Sequence, residues 1–158
     1  LRALEMLSVK PENLVVKIAG GHGSREEYEE ICRLARECRY PVIFLGSLQQ
    51  EALAEVFRQS DVFALPSFFE GLPLVTMEAM ACGLPCVVSK IRGNEDLIEN
   101  EKGGYCVDLE NESFNIYINK ILELDLSRSM AAFNYNKVSN YSIKKVNFKM
   151  REIYERNE

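Results

Sequence analysis

Two carboxylates eight positions apart, Glu70 and Glu78, bracket the run Glu70-Gly71-Leu72-Pro73-Leu74-Val75-Thr76-Met77-Glu78. The turn Leu65-Pro66-Ser67 precedes it, and small and apolar residues of helical character follow as far as Cys82. Gly83 and Pro85 stop that helix, and Cys86-Val87-Val88 reads as a strand. A strand, a glycine-containing loop and a helix N-terminus make a place where an anion docks on backbone N–H groups. With the helix starting near Leu74, Glu78 lies about 6 Å along its axis and Glu70 lies in the loop upstream. A phosphate on the N–H groups of Leu74 and Val75 then has one carboxylate on each side, and carboxylates accept hydrogen bonds from vicinal hydroxyls. A nucleotide-sugar has that layout, with ribose hydroxyls on one side of the diphosphate and sugar hydroxyls on the other. Taken alone, the pair is also compatible with a Glu78 that complements the helix dipole and a solvated Glu70.

Elements alternate along the chain in a way that fixes where such a loop must sit. Residues 1–8 suggest a helix, and Leu14 to Ala19 a strand closed by Gly20-Gly21. Ser24, with Glu27 three residues on, is a capping-box pattern that opens a helix running to about Arg36. Pro41 to Leu45 reads as a strand ended by Gly46, and 50–59 as a helix leading into a strand at Asp61 to Leu65. After the carboxylate loop and its helix come the strand at 86–88, a short helix near 93–100 and a strand at Gly104 to Val107. The remainder, 111–157, is helical in character. Near-continuous apolar strands alternating with helices imply a Rossmann-like parallel sheet with helices on both faces, an α/β domain. Ligands bind such sheets beyond the carboxyl ends of the strands, so the loops at 20–24, 46–50, 66–73 and 89–95 are expected to share one edge.

Composition narrows the function classes. At 158 residues the chain is read as one domain with a core of its own. Its formal charge of −5 argues against a nucleic-acid partner. No stretch approaches the ~18 apolar residues of a spanning helix, and no membrane contact is expected from this domain. The five cysteines lack a C-x-x-C pair, so neither a disulfide framework nor a metal site is indicated. Cys82, Cys86 and Cys106 lie in apolar runs and read as core residues, and a reducing cytoplasm is the expected location. The chain opens at Leu1 in a segment that reads as a helix entered partway, so a longer parent protein is expected.

The run PSFFEGLPLVTMEAMACGLPCVVS closely resembles the signature of the retaining glycosyltransferase family 4, or group 1, enzymes. These carry a Glu-(seven residues)-Glu motif followed by a segment like E-A-M-A-x-G-x-P-V-V. The resemblance extends back through Val42 to Gly46 and Ser60 to Ser67, and forward through Gly93 to Ile98 and Gly103 to Tyr105, covering about residues 1–110. It implies the C-terminal, donor-binding half of a GT-B enzyme, with the active site in a cleft against an N-terminal acceptor domain that is absent from this chain. On that likeness Glu78 holds the ribose hydroxyls and Glu70, the catalytic residue, contacts the transferred sugar. Gly71, Leu72, Leu74 and Val75 lie against sugar and diphosphate, Leu48 lines the base pocket, and Gly20 and Gly21 belong to the donor edge. No cofactor or metal is expected. The resemblance implies a nucleotide-diphosphate sugar donor, UDP-linked, and as acceptor a glycan or lipid-linked sugar in cell-surface polysaccharide or lipopolysaccharide synthesis.

Three features depart from the family pattern. Its phosphate-binding Arg and Lys fall just before the helix at which this chain begins, and neither Arg2 nor Lys10 fits that role. Pro73 stands where a glycine is common, removing one N–H donor. Gly20-Gly21-His22-Gly23 replaces a more usual Gly-Asp-Gly. His22, the only histidine, is a weak signal for a ligand contact, and Lys90 and Arg92 either lend positive charge or face solvent. Retention would fit a double displacement through Glu70, but the family's favoured picture is a front-face substitution, in which Glu70 orients the sugar rather than attacking it. The resemblance also implies that the 158 residues alone are inactive. A GT-B relative such as an epimerase or phosphorylase, or a binding module without catalysis, remains the alternative. The full-length enzyme is expected in the cytoplasm, peripheral at the inner face of the membrane.

Overall fold

Strand β1 spans Val16–Ala19, β2 Val42–Gly46, β3 Phe63–Leu65, β4 Cys86–Ser89 and β5 Gly104–Val107. These belong to a computed structural model that describes residues 1–21, 23–109 and 114–155. Every strand pairing is parallel, with Val16 opposite Val42, Phe63 opposite Cys86, and Cys86 opposite Gly104. The pairing falls into two sheets, β1-β2 and β3-β4-β5, where the sequence suggested one. Helices α1 (Arg25–Glu37), α2 (Gln50–Arg58), α3 (Leu74–Ala81) and α4 (Arg92–Leu97) each follow one of the first four strands. Helices α5 (Phe114–Glu123), α6 (Ser127–Val138) and α7 (Ile143–Glu155) complete the chain.

β4 shows why the fold is covered on both sides. All four of its residues are buried, as a central parallel strand requires. Successive side chains point to opposite faces. Val87 accordingly enters a cluster with Tyr105, Val107, Ile118 of α5, Ile121 of α5 and Met130 of α6. Cys86 and Val88 enter a second cluster with Phe57 of α2, Ala79 and Met80 of α3, and Leu97 of α4. Gly104 sits where β5 passes closest to β4. Its φ is +150°, and a Cβ there would lie 1.9 Å from the Cys86 carbonyl oxygen, so glycine is required.

Several boundaries differ from the sequence reading. The first segment is a 3₁₀ turn at Arg2–Met6 rather than a helix to residue 8, followed by a second at Pro11–Asn13. Pro11 drives Lys10 into the extended region, which ends any helix there. β1 begins at Val16 instead of Leu14, β3 at Phe63 instead of Asp61, and α4 ends at Leu97 instead of Asn100. The 111–157 region holds three helices with a 3₁₀ turn at Ser139–Tyr141, and its residues 111–113 and 156–157 lie outside the described residues. Tyr141, Val146, Phe148 and Tyr154 are exposed. Among the described residues no helix is long and apolar enough to cross a membrane.

Candidate functional site

α3 begins without a side-chain cap. Its N-cap is Pro73, which has no N–H and whose carbonyl accepts from the amides of Thr76 and Met77 at 3.0 and 3.2 Å. The amides of Leu74 and Val75 have no backbone partner among the described residues, and no acid lies in the first turn. α1 is the instructive contrast. There the Ser24 hydroxyl accepts from the Glu27 amide at 3.2 Å, and the Glu27 carboxylate accepts from the Ser24 amide at 2.8 Å. That reciprocal capping box satisfies α1 with its own carboxylate. α3 keeps its positive end open to an external anion.

One carboxylate lies in the loop before that end and one within the helix, each accepting from a neutral partner. Glu78 is the fifth residue of α3, half-buried, and accepts from Gln50 Nε2 at 3.1 Å. Gln50 opens α2, so this bond ties the loop after β2, with half-buried Leu48, to the helix carrying Glu78. Glu70, also half-buried, accepts from the Ser67 hydroxyl at 2.8 Å through Oε1. Among the described residues no cation pairs with either carboxylate. Both therefore remain free to accept hydroxyls.

The loop holding Glu70 rests on buried structure. A Cβ on Gly93, in the first turn of α4, would stand 2.6 Å from the Gly71 carbonyl oxygen and 2.7 Å from that of Glu70. Beneath it, Ser89 Oγ donates to the Leu65 carbonyl at 3.1 Å, and Asn94 Nδ2 donates to the Ser89 carbonyl at 2.9 Å. These bonds lock the carboxyl ends of β3 and β4 to α4. On the other side, the Gly20 amide donates to the Gly46 carbonyl at 2.8 Å, joining the loops after β1 and β2.

Placement of the remaining candidates follows. Gly71, Leu72 and Leu74 are exposed and Val75 half-buried at the mouth of α3. Gly20 and Gly21 are exposed at the end of β1. Lys90 and Arg92 are exposed, and neither takes part in an ion pair among the described residues. Arg92 adjoins Gly93 and so lies beside the Glu70 loop. His22 lies outside the described residues. Sequence reasoning missed Gln50, Ser67, Ser89, Gly93 and Asn94. Only Ser67 is close enough in sequence to Glu70 to have been found by spacing.

Cys82, Cys86 and Cys106 do not supply a nucleophile. Cys86 is buried and Cys82 and Cys106 partly so, packed in or against the second cluster. Burial pushes all three thiols up, Cys106 to about 11 with the Glu95 carboxylate adding to it. A thiol held protonated is unreactive. Among the described residues no group of three side chains could hold a metal ion.

Comparison with known proteins bears on the family and the fold. Residues 1–138 match the family model described as glycosyl transferases group 1. A UDP-Gal:alpha-D-GlcNAc-diphosphoundecaprenol alpha-1,3-galactosyltransferase from Escherichia coli is 36% identical over 104 residues, 65% of this chain and 27% of that protein. A D-inositol 3-phosphate glycosyltransferase from Corynebacterium jeikeium is 37% identical over 114 residues, 68% of this chain and 27% of that protein. Among solved structures, Anabaena HepE in complex with UDP-glucose superposes with a TM-score of 0.84 at 21% identity, covering 98% of this chain and 43% of that one. The chain thus spans about a quarter of the length of the curated relatives it matches.

Proposed function

Because this chain belongs to the group 1 glycosyl transferases, we propose that it is the donor-binding part of an enzyme that moves a sugar from a nucleotide-diphosphate sugar to an acceptor hydroxyl. The observation that carries this reading is the uncapped N-terminus of α3 set between Glu70 and Glu78. The diphosphate accepts from the Leu74 and Val75 amides at the positive end of the helix. Glu78, oriented by Gln50, accepts the two ribose hydroxyls. Glu70, oriented by Ser67, accepts sugar hydroxyls and faces the charge that develops at the anomeric carbon.

Transfer proceeds with retention, by substitution on one face of the sugar. The anomeric C–O bond to the diphosphate breaks as the bond to the acceptor oxygen forms. The acceptor proton passes to the leaving phosphate oxygen. Glu70 positions and stabilises, and forms no covalent bond. No metal or cofactor takes part. Arg92, next to the Gly93 on which the Glu70 loop rests, lends positive charge, and the rest of the leaving charge is met from outside these 158 residues.

The donor is UDP-linked, a reading supported by the relative named for UDP-Gal and by the HepE complex. The acceptor is a lipid-linked sugar or growing surface glycan, bound by an N-terminal domain with which this one forms a GT-B cleft, in a cytoplasmic enzyme peripheral to the membrane. The reading is tested by titration calorimetry of the intact enzyme with UDP, GDP and ADP, and by transfer assays. UDP should bind tightest, and Glu78→Ala should weaken it by about tenfold or more. Glu70→Ala should leave UDP binding near wild type and reduce kcat by about a hundredfold or more. Transfer near wild-type rates in both variants would sink the assignment.

A further inference from the structure

Phe68 and Phe69 are the most exposed large apolar side chains among the described residues, at 89% and 85%. One bare phenyl ring is ordinary protein surface. Two in succession beside a half-buried carboxylate are not explained by the donor site, which uses Glu70, Glu78 and the amides opening α3. Local bonding turns them outward. The Ser67 hydroxyl donates to Glu70 Oε1 at 2.8 Å, closing a short loop with the two rings at its tip. Behind it, the carbonyls of Glu70 and Gly71 lie against Gly93, so the base of the loop has no room to settle toward α4. Neither ring meets another ring or a cation among the described residues.

Charge decides what can cover such a tip. Among the described residues Glu70 has no cation partner. An apolar protein face or a lipid tail laid over the rings would take its carboxylate out of water unpaired, which is costly. An anionic headgroup surface would meet it with like charge. A pyranose suits both parts of the tip. Its C–H face is drawn to the negative face of a phenyl ring, and the hydroxyls around its rim donate to the carboxylate. A phenyl side chain has only two torsions to fix, so little entropy is lost when a sugar settles on it.

We propose that Phe68 and Phe69 form a stacking subsite for a pyranose of the acceptor and bring its attacking hydroxyl beside Glu70. Resting on the transferase reading, this gives the donor-binding domain a share of the acceptor site. The donor is held by half-buried groups, Glu70, Glu78 and Val75. The rings project past them into solvent, so a sugar lying on the rings is outside the donor and meets it at Glu70.

Saturation-transfer NMR on the intact enzyme tests this, with the methyl β-glycosides of glucose, galactose, mannose and N-acetylglucosamine as probes, with and without UDP. At least one glycoside should bind, with the strongest transfer to its ring C–H protons. Replacing both rings by alanine should weaken that glycoside, and raise its KM in transfer, by about tenfold or more, with UDP affinity unaltered. Phe69→Tyr should retain binding and Phe69→Leu should lose it, because leucine is apolar without a ring face. Equal binding by the leucine variant and wild type would overturn the proposal, as a plain apolar contact would then suffice. So would a double alanine variant with a lowered unfolding midpoint and unaltered glycoside affinity, because the rings would then pack on another part of the enzyme. Binding of none of the four glycosides would overturn it as well. UDP titrated into the same samples reports on the donor site alone, so its failure to bind would sink that reading and leave ring stacking to be judged by the glycosides.

Discussion

Gly93 shows how much of the site depends on what a residue lacks. It is buried in the first turn of α4, and the carbonyl oxygens of Gly71 and Glu70 occupy the space a side chain would need, at 2.6 and 2.7 Å. Both obstacles are backbone, so a methyl group there cannot be met by a rotamer change. Gly93→Ala should push the Glu70 loop outward and cost about 1–3 kcal/mol of stability. Glu70 itself would be intact but displaced, and a displacement near 1 Å costs about a hundredfold in rate. Thermal unfolding and steady-state kinetics on the intact enzyme check this together. A variant with reduced stability and unaltered kcat would show that the loop relaxes without moving the carboxylate. Glu78 has no such backbone constraint, and its placement rests on the single bond from Gln50.

Two helices of similar origin have opposite roles because of their first residues. α1 is closed by Ser24 and Glu27, whereas α3 starts from Pro73 with the Leu74 and Val75 amides open. Ser24→Ala should therefore remove about 1 kcal/mol of stability, read as a lowered denaturant midpoint, with nucleotide affinity unchanged. A loss of affinity in that variant would move the anion site to α1. Signals of this kind were legible in the sequence because they are local. The capping box spans four residues, the Glu70–Glu78 stretch nine, and Cys86-Val87-Val88 is an uninterrupted buried run. What stayed hidden involves partners far apart in sequence. Gln50 reaches Glu78 across 28 positions, and Gly93 meets Gly71 only because β4 pairs with β3. The opening helix was misjudged for a different reason: apolar spacing at Leu1, Leu4 and Leu7 suggested a helix, but Pro11 imposes extended backbone soon after. The division of the strands between two sheets is likewise a long-range property that period alone cannot report.

At the scale of the whole molecule, α6 packs against α3 and fastens the amino edge of the sheet. Asn134 of α6 is completely buried, and its Nδ2 donates to the carbonyls of Leu84 and Gly103, each at 2.7 Å. Those two carbonyls precede β4 and β5, so one side chain fastens α6 to the amino ends of both strands. The carboxyl ends of β3 and β4, where Ser89 and Asn94 support the Glu70 loop, lie at the opposite edge. Asn134→Ala removes the amide donor from both carbonyls, leaving that of Gly103 with the Cys86 amide at 3.2 Å and that of Leu84 with only the weak Cys86 thiol at 3.4 Å, at a cost of about 1–3 kcal/mol. Asn134→Asp is the sharper variant, because it sets a carboxylate against the same two oxygens. It should lower stability further than alanine does, with partial recovery where low pH protonates the new acid. In equilibrium urea unfolding the order should be wild type, then Asn134→Ala, then Asn134→Asp. At a temperature where each variant is folded, nucleotide affinity should match wild type, since nothing at the carboxyl edge has changed. Equal stability of the alanine variant and wild type would mean that water replaces the amide and that α6 is held by packing alone. A selective loss of nucleotide affinity with stability intact would instead mean that strain at the amino edge reaches the loops through β4.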